Sequence, residues 1–213
     1  YYGKRFHEIC PDQFLVKVPY TPEGLIGARH LRDEGVRVNL TLEFSARQNV
    51  LVTRVARPDY QNVFLGRIGS FIADNKLGDG SGAGEMALIS SQNWVTGLTA
   101  KNPWQSKLIA ASLRNYNQIE LLAGADVFTM PPRVAQEGRK TLKGKFSSRM
   151  HENYKVDLNE SANDAHIEKF WDVDDKVLNL AERLASKVPS TGQELIRIAN
   201  GEGCEEMFPF LTK

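Results

Sequence analysis

A lysine lies inside a short run of strand-forming apolar residues, FLVKVP at positions 14–19. Side chains alternate between the two faces of a strand, so Leu15, Lys17 and Pro19 are predicted to share one face. We expect apolar neighbours to bury the Lys17 ammonium and lower its pKa. A neutral lysine amine can attack a carbonyl carbon and form a Schiff base. The alternative is a lysine at the exposed end of an ordinary strand.

The next predicted strand, VRVNLTLEFS at positions 36–45, is polar along one face. Alternation places four polar residues together: Asn39, Thr41, Glu43 and Ser45. The opposite face carries Val38, Leu40, Leu42 and Phe44. Strands of a parallel sheet covered by helices are normally apolar on both faces. A polar face in such a sheet therefore indicates the interior of a barrel or a functional site.

Composition excludes several classes of function. The 213 residues carry a net charge of +1 with 25% charged residues, which gives no electrostatic reason to expect nucleic acid or an anionic membrane as a partner. The two cysteines, Cys10 and Cys204, form no CxxC or Cys/His cluster, and the four histidines lack metal-ligand spacing. No apolar run reaches the ~18 residues needed to span a bilayer. We expect a cytoplasmic globular protein without a metal or other cofactor.

The elements that must position these residues alternate along the chain. Strands are predicted near residues 14–19, 36–45, 62–67, 108–112 and 127–130. Helices are predicted at residues 21–34, 46–55, 85–99 and 116–123, and a glycine-rich loop at 78–84. This order indicates an α/β fold with a parallel sheet and right-handed crossovers. Residues 133–213 contain helical patterns at 174–188 and 193–199 and no further convincing strand.

Five short motifs occur in the order found in one enzyme family. They are LVKVP around Lys17, NLTLEFS from Asn39, FLGR ending at Arg67, ASLRN at 111–115 and AGAD at 123–126. In this combination the chain resembles transaldolase. The resemblance covers residues 10–135 well, and it implies a (β/α)₈ TIM barrel that uses the mechanism of a class I aldolase. It also implies sugar-phosphate substrates and a place in the pentose phosphate pathway.

The resemblance also implies roles for individual residues. Lys17 would form the Schiff base with a ketose phosphate, and Thr41 would help to place a catalytic water. Asn39 would hydrogen-bond substrate hydroxyls. Three residues would bind the phosphate: Arg67, Ser112 and Arg114. A guanidinium fork beside a hydroxyl suits that task, whereas the alternative for either arginine alone is a surface salt bridge.

Some positions bear on the branch of the family. Phe64 together with Asn39 is typical of the transferase branch rather than of the plain fructose-6-phosphate aldolases. Asn62 stands where the family usually has a phosphate-contacting serine, which puts that contact in doubt. Glu43 replaces an apolar residue on the site-facing side of its strand. It is interpreted either as a substrate or proton-relay group or as the ion-pair partner of a nearby arginine such as Arg47.

The five predicted strands match the fourth to eighth strands of the barrel. About 70 residues or more, holding the first three strands, are expected ahead of position 1, at ~30 residues per βα unit. Truncation of the sequence is favoured over an unrecorded first third or a non-standard assembly. Residues 1–213 are interpreted as one partial barrel domain, with strands and helices in 1–135 and a helical region in 136–213 that packs on the barrel.

Three functions remain open from the sequence. The first is transfer of a dihydroxyacetone unit from a ketose phosphate to an aldose phosphate. The second is a related Schiff-base aldolase that acts on a different sugar phosphate. The third is a catalytically inactive barrel fragment. The oligomeric state is open as well, with a homo-oligomer among the alternatives.

Overall fold

Five parallel strands and nine α-helices make up the part of the chain that the computed structural model describes, residues 1–208. The strands are β1 (Val16–Pro19), β2 (Val38–Thr41), β3 (Tyr60–Phe64), β4 (Lys107–Ala111) and β5 (Val127–Thr129). The first helices are α1 (Tyr2–Ile9), α2 (Pro22–Asp33), α3 (Ala46–Val55), α4 (Leu65–Asp74) and α5 (Ala83–Thr99). The later helices are α6 (Asn117–Leu121), α7 (Pro132–Thr141), α8 (Asp175–Ser186) and α9 (Gly192–Gly201). Three 3₁₀ turns cover Glu160–Ala165, Ile167–Phe170 and Glu205–Met207.

The strands occur in the sheet in the order of the chain, β1-β2-β3-β4-β5, and every neighbouring pair is parallel. This confirms the predicted α/β fold with a parallel sheet. All five carboxyl ends therefore lie along the same edge of the sheet, the edge at which barrel enzymes carry their active groups.

The helix-covered face of the sheet is buried. Its residues include Val38, Leu40, Val63, Leu108 and Ala110, none of which exposes any surface. Gln61 lies among them without exposure because its amide is fully bonded. It donates to Thr53 Oγ1 at 2.8 Å and Ser106 Oγ at 2.9 Å and accepts from Asn49 Nδ2 at 3.0 Å. A polar group is tolerated in a core when its hydrogen bonds are satisfied in this way.

Two apolar clusters join the helices to this face. The first unites β1 and β2 with α2, α3, α8 and α9, and the second unites β3 and β4 with α4, α5 and the 3₁₀ turns. Two helices begin at residues whose side chains cap them. Thr21 Oγ1 accepts from Gly24 N at 2.9 Å, and Asp174 Oδ1 accepts from Val177 N at 3.0 Å. No helix in the part of the chain that the structure describes is long and apolar enough to cross a membrane.

The prediction for the second strand is partly wrong. It extends to residue 45, whereas β2 ends at Thr41. Leu42 has a φ of 71°, a left-handed conformation that breaks the alternation of faces. As a result Leu42 is exposed instead of packing beside Val38 and Leu40. The sequence analysis also missed α4, which begins directly after β3, and α7.

Candidate active site

The face of the sheet opposite the helices is polar at its centre. Strand register places Lys17 beside Asn39 and Pro19 beside Thr41, so these side chains share one face. Asn62 on β3 joins them, because its Nδ2 donates to Asn39 Oδ1 at 2.7 Å and to the Leu40 carbonyl at 2.5 Å. The structure thus brings together an amine, two amides and a hydroxyl from three adjacent strands.

Lys17 differs from the sequence-based prediction in its surroundings. The prediction that apolar neighbours bury its ammonium is wrong, because Lys17 is exposed in the structure. The physical reason is its place on β1, an edge strand that pairs only with β2 within residues 1–208. Among those residues the ammonium makes no ion pair with a carboxylate. An exposed primary amine without an anionic partner is free to meet a carbonyl compound.

Glu43 follows the left-handed turn at Leu42 and is completely buried. Neither carboxyl oxygen has a hydrogen-bond partner among the described residues. Burial raises the pKa of this carboxyl well above its ordinary value. The backbone N–H groups of Glu43 and Asn62 and the charge of Lys17 act in the opposite direction. The site therefore contains a carboxyl group whose burial favours the protonated form.

Tyr20, directly after β1, was not singled out by the sequence analysis. Its hydroxyl is buried without a partner, and its ring stacks on Phe208 with centroids 5.4 Å apart. Burial raises the pKa of Tyr20 well above its ordinary value, and the negative charge of Glu43 adds to the shift. Its position one residue beyond a strand end was the signal that could have revealed it.

Arg47 in α3 does not pair with Glu43, so the ion-pair interpretation of Glu43 is wrong for the part of the chain described. The Arg47 guanidinium is 4% exposed, and its Nη2 lies 3.3 Å from Asp174 Oδ2 and 2.9 Å from Glu206 Oε1. These two carboxylates belong to the cap of α8 and to the last 3₁₀ turn. Arg47 therefore holds the C-terminal segment against the site and leaves Glu43 unneutralised.

The three residues expected to bind phosphate lie past β3 and β4. Arg67 is in the first turn of α4, while Ser112 and Arg114 follow β4 directly. The start of α4 touches the segment after β4: a Cβ placed on Gly66 would lie 2.0 Å from the Ser112 carbonyl oxygen and 2.7 Å from Arg114 Nε. Ser112 has a φ of 66°, a left-handed conformation of the kind often found at functional sites.

Both arginines are exposed, and within residues 1–208 neither forms an ion pair with a carboxylate. The surface salt-bridge alternative is therefore not found there. The Arg114 guanidinium lies 3.4 Å from the Gly66 carbonyl and 3.4 Å from Ser70 Oγ. It borders a cleft of about 570 Å³ between α4, α6 and the glycine-rich loop. Phe64, at the end of β3, packs against Phe44 with ring centroids 5.8 Å apart.

The sequence of the chain matches a known protein family. The sequence model of the transaldolase/fructose-6-phosphate aldolase family matches residues 2–186, most of the chain. The chain belongs to this family. Its parallel five-stranded sheet, with polar groups at the carboxyl ends of the strands, is consistent with the TIM-barrel type of fold in the transaldolase family.

Curated relatives support the same assignment. A probable transaldolase from Thermus thermophilus is 37% identical over 137 residues, which are 63% of this chain and 55% of that protein. A probable transaldolase from Phenylobacterium zucineum is 35% identical over 136 residues, 63% of this chain and 56% of the relative. A third, from Hyphomonas neptunium, is 34% identical over 134 residues. The chain thus spans about half the length of the curated relatives it matches.

Proposed function

We propose that the protein is a transaldolase-type transferase that moves a dihydroxyacetone unit from a ketose phosphate to an aldose phosphate. Lys17 attacks the ketone and forms a Schiff base. Cleavage of the C3–C4 bond releases an aldose phosphate and leaves an enamine on Lys17, which then adds to the aldehyde of the acceptor. Asn39 binds substrate hydroxyls, Thr41 helps to place a catalytic water, and Phe64 lines the substrate site.

The observation that supports this proposal best is the pairing of Lys17 with Asn39 in the strand register, with Thr41 on the same face. A nucleophilic amine, a hydrogen-bonding amide and a hydroxyl are the groups that formation and hydrolysis of a Schiff base need. Arg67, Ser112 and Arg114 are proposed to bind the phosphate. The two guanidinium groups are free of ion pairs with described carboxylates, so their charge is available to an anion.

The finer architecture is part of the proposal. The five strands are assigned to the fourth to eighth strands of a (β/α)₈ barrel, with residues 1–135 forming barrel units and residues 136–213 a helical region packed on them. Residues 209–213 lie outside the described residues. α8 and α9 contact α3 and α2, which supports this division. Cytoplasmic location, the pentose phosphate pathway and homo-oligomerisation stay predictions from the sequence.

Trapping of the Schiff base tests the proposal. The full-length protein is mixed with fructose 6-phosphate and borohydride, and its intact mass is recorded. A reduced dihydroxyacetone adduct is expected on the natural protein and not on Lys17→Arg, which keeps the charge but lacks the nucleophilic amine. Lys107→Arg is the matched control. Lys107 is also exposed on this face of the sheet, but at the amino end of β4, and its variant should form the adduct.

A second measurement separates the two enzyme candidates. Repeated turnover that requires an added aldose phosphate indicates a transferase, and repeated turnover without an acceptor indicates the related aldolase. No adduct on the folded natural protein, or an adduct that persists in Lys17→Arg, contradicts the proposed role of Lys17.

A further inference from the structure

Glu43 is an unusual carboxyl group in this structure. It exposes no surface, and both of its oxygens lack a hydrogen-bond partner among the described residues. Buried polar groups are bonded in most proteins, because leaving one unpaired destabilises the fold. Glu43 is such an unpaired group, and it lies near the carboxyl end of a strand, where the active groups of barrel enzymes are expected. A destabilising feature at such a place indicates a functional role.

The backbone accounts for the position of Glu43. β2 ends at Thr41, and the left-handed Leu42 turns the chain so that Leu42 reaches solvent while Glu43 turns inward. The Glu43 carbonyl still accepts from Phe64 N at 3.2 Å, which fixes this residue beside the end of β3. Glu43 is therefore held between the ends of β2 and β3, one strand away from Lys17.

The charged and titratable groups around Glu43 come from each neighbouring element. Lys17 on β1 is close enough for its charge to act on the carboxyl, and Tyr20 after β1 is close enough to respond to the charge of Glu43. Arg47 in α3 and Cys204, between α9 and the last 3₁₀ turn, also act on Tyr20: the charge of Arg47 lowers its pKa and Cys204 raises it. Arg47 is paired with Asp174 and Glu206, and among residues 1–208 no arginine forms an ion pair with Glu43.

We infer that Glu43 is an additional catalytic acid for this reaction, which protonates the departing hydroxyl when Lys17 forms its Schiff base. The inference rests on the proposed function, since it needs the Lys17 adduct. It assigns a proton-transfer role to a side chain that differs from the apolar residue expected at this position of the family pattern.

The Lys17 amine adds to the ketone and gives a carbinolamine, in which the former carbonyl carbon carries both the nitrogen and a hydroxyl. Glu43 donates its proton to that hydroxyl, the C–O bond breaks, and water leaves while the nitrogen lone pair forms the C=N bond. The products are the iminium cation, water and the Glu43 carboxylate. In hydrolysis the carboxylate takes a proton from the attacking water, and the acid is restored.

Burial suits Glu43 to this role. A general acid must be protonated before the step, and burial raises the pKa of the Glu43 carboxyl well above its ordinary value, which favours that form. After proton transfer, the carboxylate formed in this low-dielectric surrounding attracts the new iminium cation on Lys17. Thr41, whose buried Oγ1 also has no described partner, lies two residues earlier and can hydrogen-bond the leaving water.

Oxygen exchange tests this step separately from carbon–carbon cleavage. The full-length protein is incubated with fructose 6-phosphate in ¹⁸O-water, and incorporation at the ketone is followed by mass spectrometry. Each cycle of Schiff-base formation and hydrolysis exchanges the carbonyl oxygen, and Lys17→Arg sets the background. Glu43→Gln, which keeps the shape but cannot act as an acid, should slow exchange ~100-fold or more. Glu43→Asp should restore part of the rate.

Asp59→Asn is the matched control. Asp59 precedes β3 at the opposite edge of the sheet, where it accepts from Val38 N at 2.9 Å, and its variant should exchange oxygen at the natural rate. The pH profile gives a test without substitution. In the natural protein the exchange rate should fall as pH rises through the raised pKa of Glu43, and this alkaline limb should be missing from Glu43→Gln.

The outcomes separate the two proposals. Exchange by the natural protein no faster than Lys17→Arg overturns the proposed function and this inference with it. Natural exchange that Glu43→Gln matches within about threefold overturns the inference alone. If Glu43→Gln does not fold, Glu43→Asp and the natural pH profile decide, and a profile without an alkaline limb overturns the role of Glu43.

Discussion

The contact at Gly66 makes the geometry of the phosphate site testable by a single methyl group. A Cβ at this position would lie 2.0 Å from the Ser112 carbonyl oxygen. Carbon and oxygen atoms that are not bonded approach to about 3.3 Å, so Gly66→Ala requires the start of α4 and the segment after β4 to move apart by about 1 Å. This displacement involves backbone, which cannot rotate away as a flexible side chain can.

The expected loss of stability in Gly66→Ala follows from two opposing effects. Forced overpacking costs about 3 kcal/mol, and the better helix propensity of alanine returns up to ~1 kcal/mol. The net loss of about 2 kcal/mol corresponds to a fall in Tm of roughly 4–8 °C for a chain of this size. Because Arg67 and Arg114 flank the contact, a shift of about 1 Å should also lower kcat/KM for a phosphorylated ketose ~100-fold.

Gly97 supplies the control for this prediction. It lies in an exposed part of α5, and a Cβ there would meet no atom within 4 Å. Gly97→Ala should therefore raise stability by about 0.5–1 kcal/mol and leave kcat/KM unchanged. Thermal melting and steady-state kinetics of the two variants give the comparison. If Gly66→Ala melts at the same temperature as the natural protein and keeps its activity, the close contact between Gly66 and Ser112 is not present.

Further predictions concern two other buried groups. Glu43 has a pKa above that of the unfolded chain, so the native state keeps its proton while the unfolded state loses it as pH rises above about 4.5. The free energy of unfolding of the natural protein, relative to that of Glu43→Gln, should therefore be highest below that pH. As pH rises it should fall by up to ~1.4 kcal/mol per pH unit until the raised pKa is passed. Urea titrations at several pH values measure this, and a constant difference would contradict it. Gln61→Leu leaves Asn49, Thr53 and Ser106 without their shared partner. It should lower the free energy of unfolding, measured with urea, by about 2–4 kcal/mol. A loss of less than about 1 kcal/mol would show that these hydrogen bonds contribute little.

Much of the fold was accessible from the sequence because local signals agreed with the global arrangement. Thr21-Pro22 begins α2, and the apolar periodicity of 174–188 gives α8, with its cap at Asp174. The strand ends were harder to place. The sequence pattern alternates through Leu42 and Phe44, whereas the left-handed backbone at Leu42, which that pattern does not contain, ends β2 earlier.

The proximity of Lys17 and Asn39 could be predicted from the sequence, but the exposure or burial of the side chains around them could not. Lys17 and Asn39 share a face because strand periodicity is local, and the structure places them side by side. Exposure of Lys17 depends on which strands flank β1, information that no pattern within residues 14–19 contains. Tyr20 was missed for a related reason, since its burial comes from Phe208, a residue remote in the sequence.

The strictly sequential strand order has a consequence for synthesis. Within residues 1–208 each strand after β1 pairs with the strand that precedes it in the chain, so a ribosome releases each of these βα units when its docking surface already exists. Within residues 1–208 each strand after β1 finds the neighbour that precedes it among segments already made. This part of the sheet can grow in one direction during translation, with β5 added after β4 and with α8 and α9 closing over units already in place.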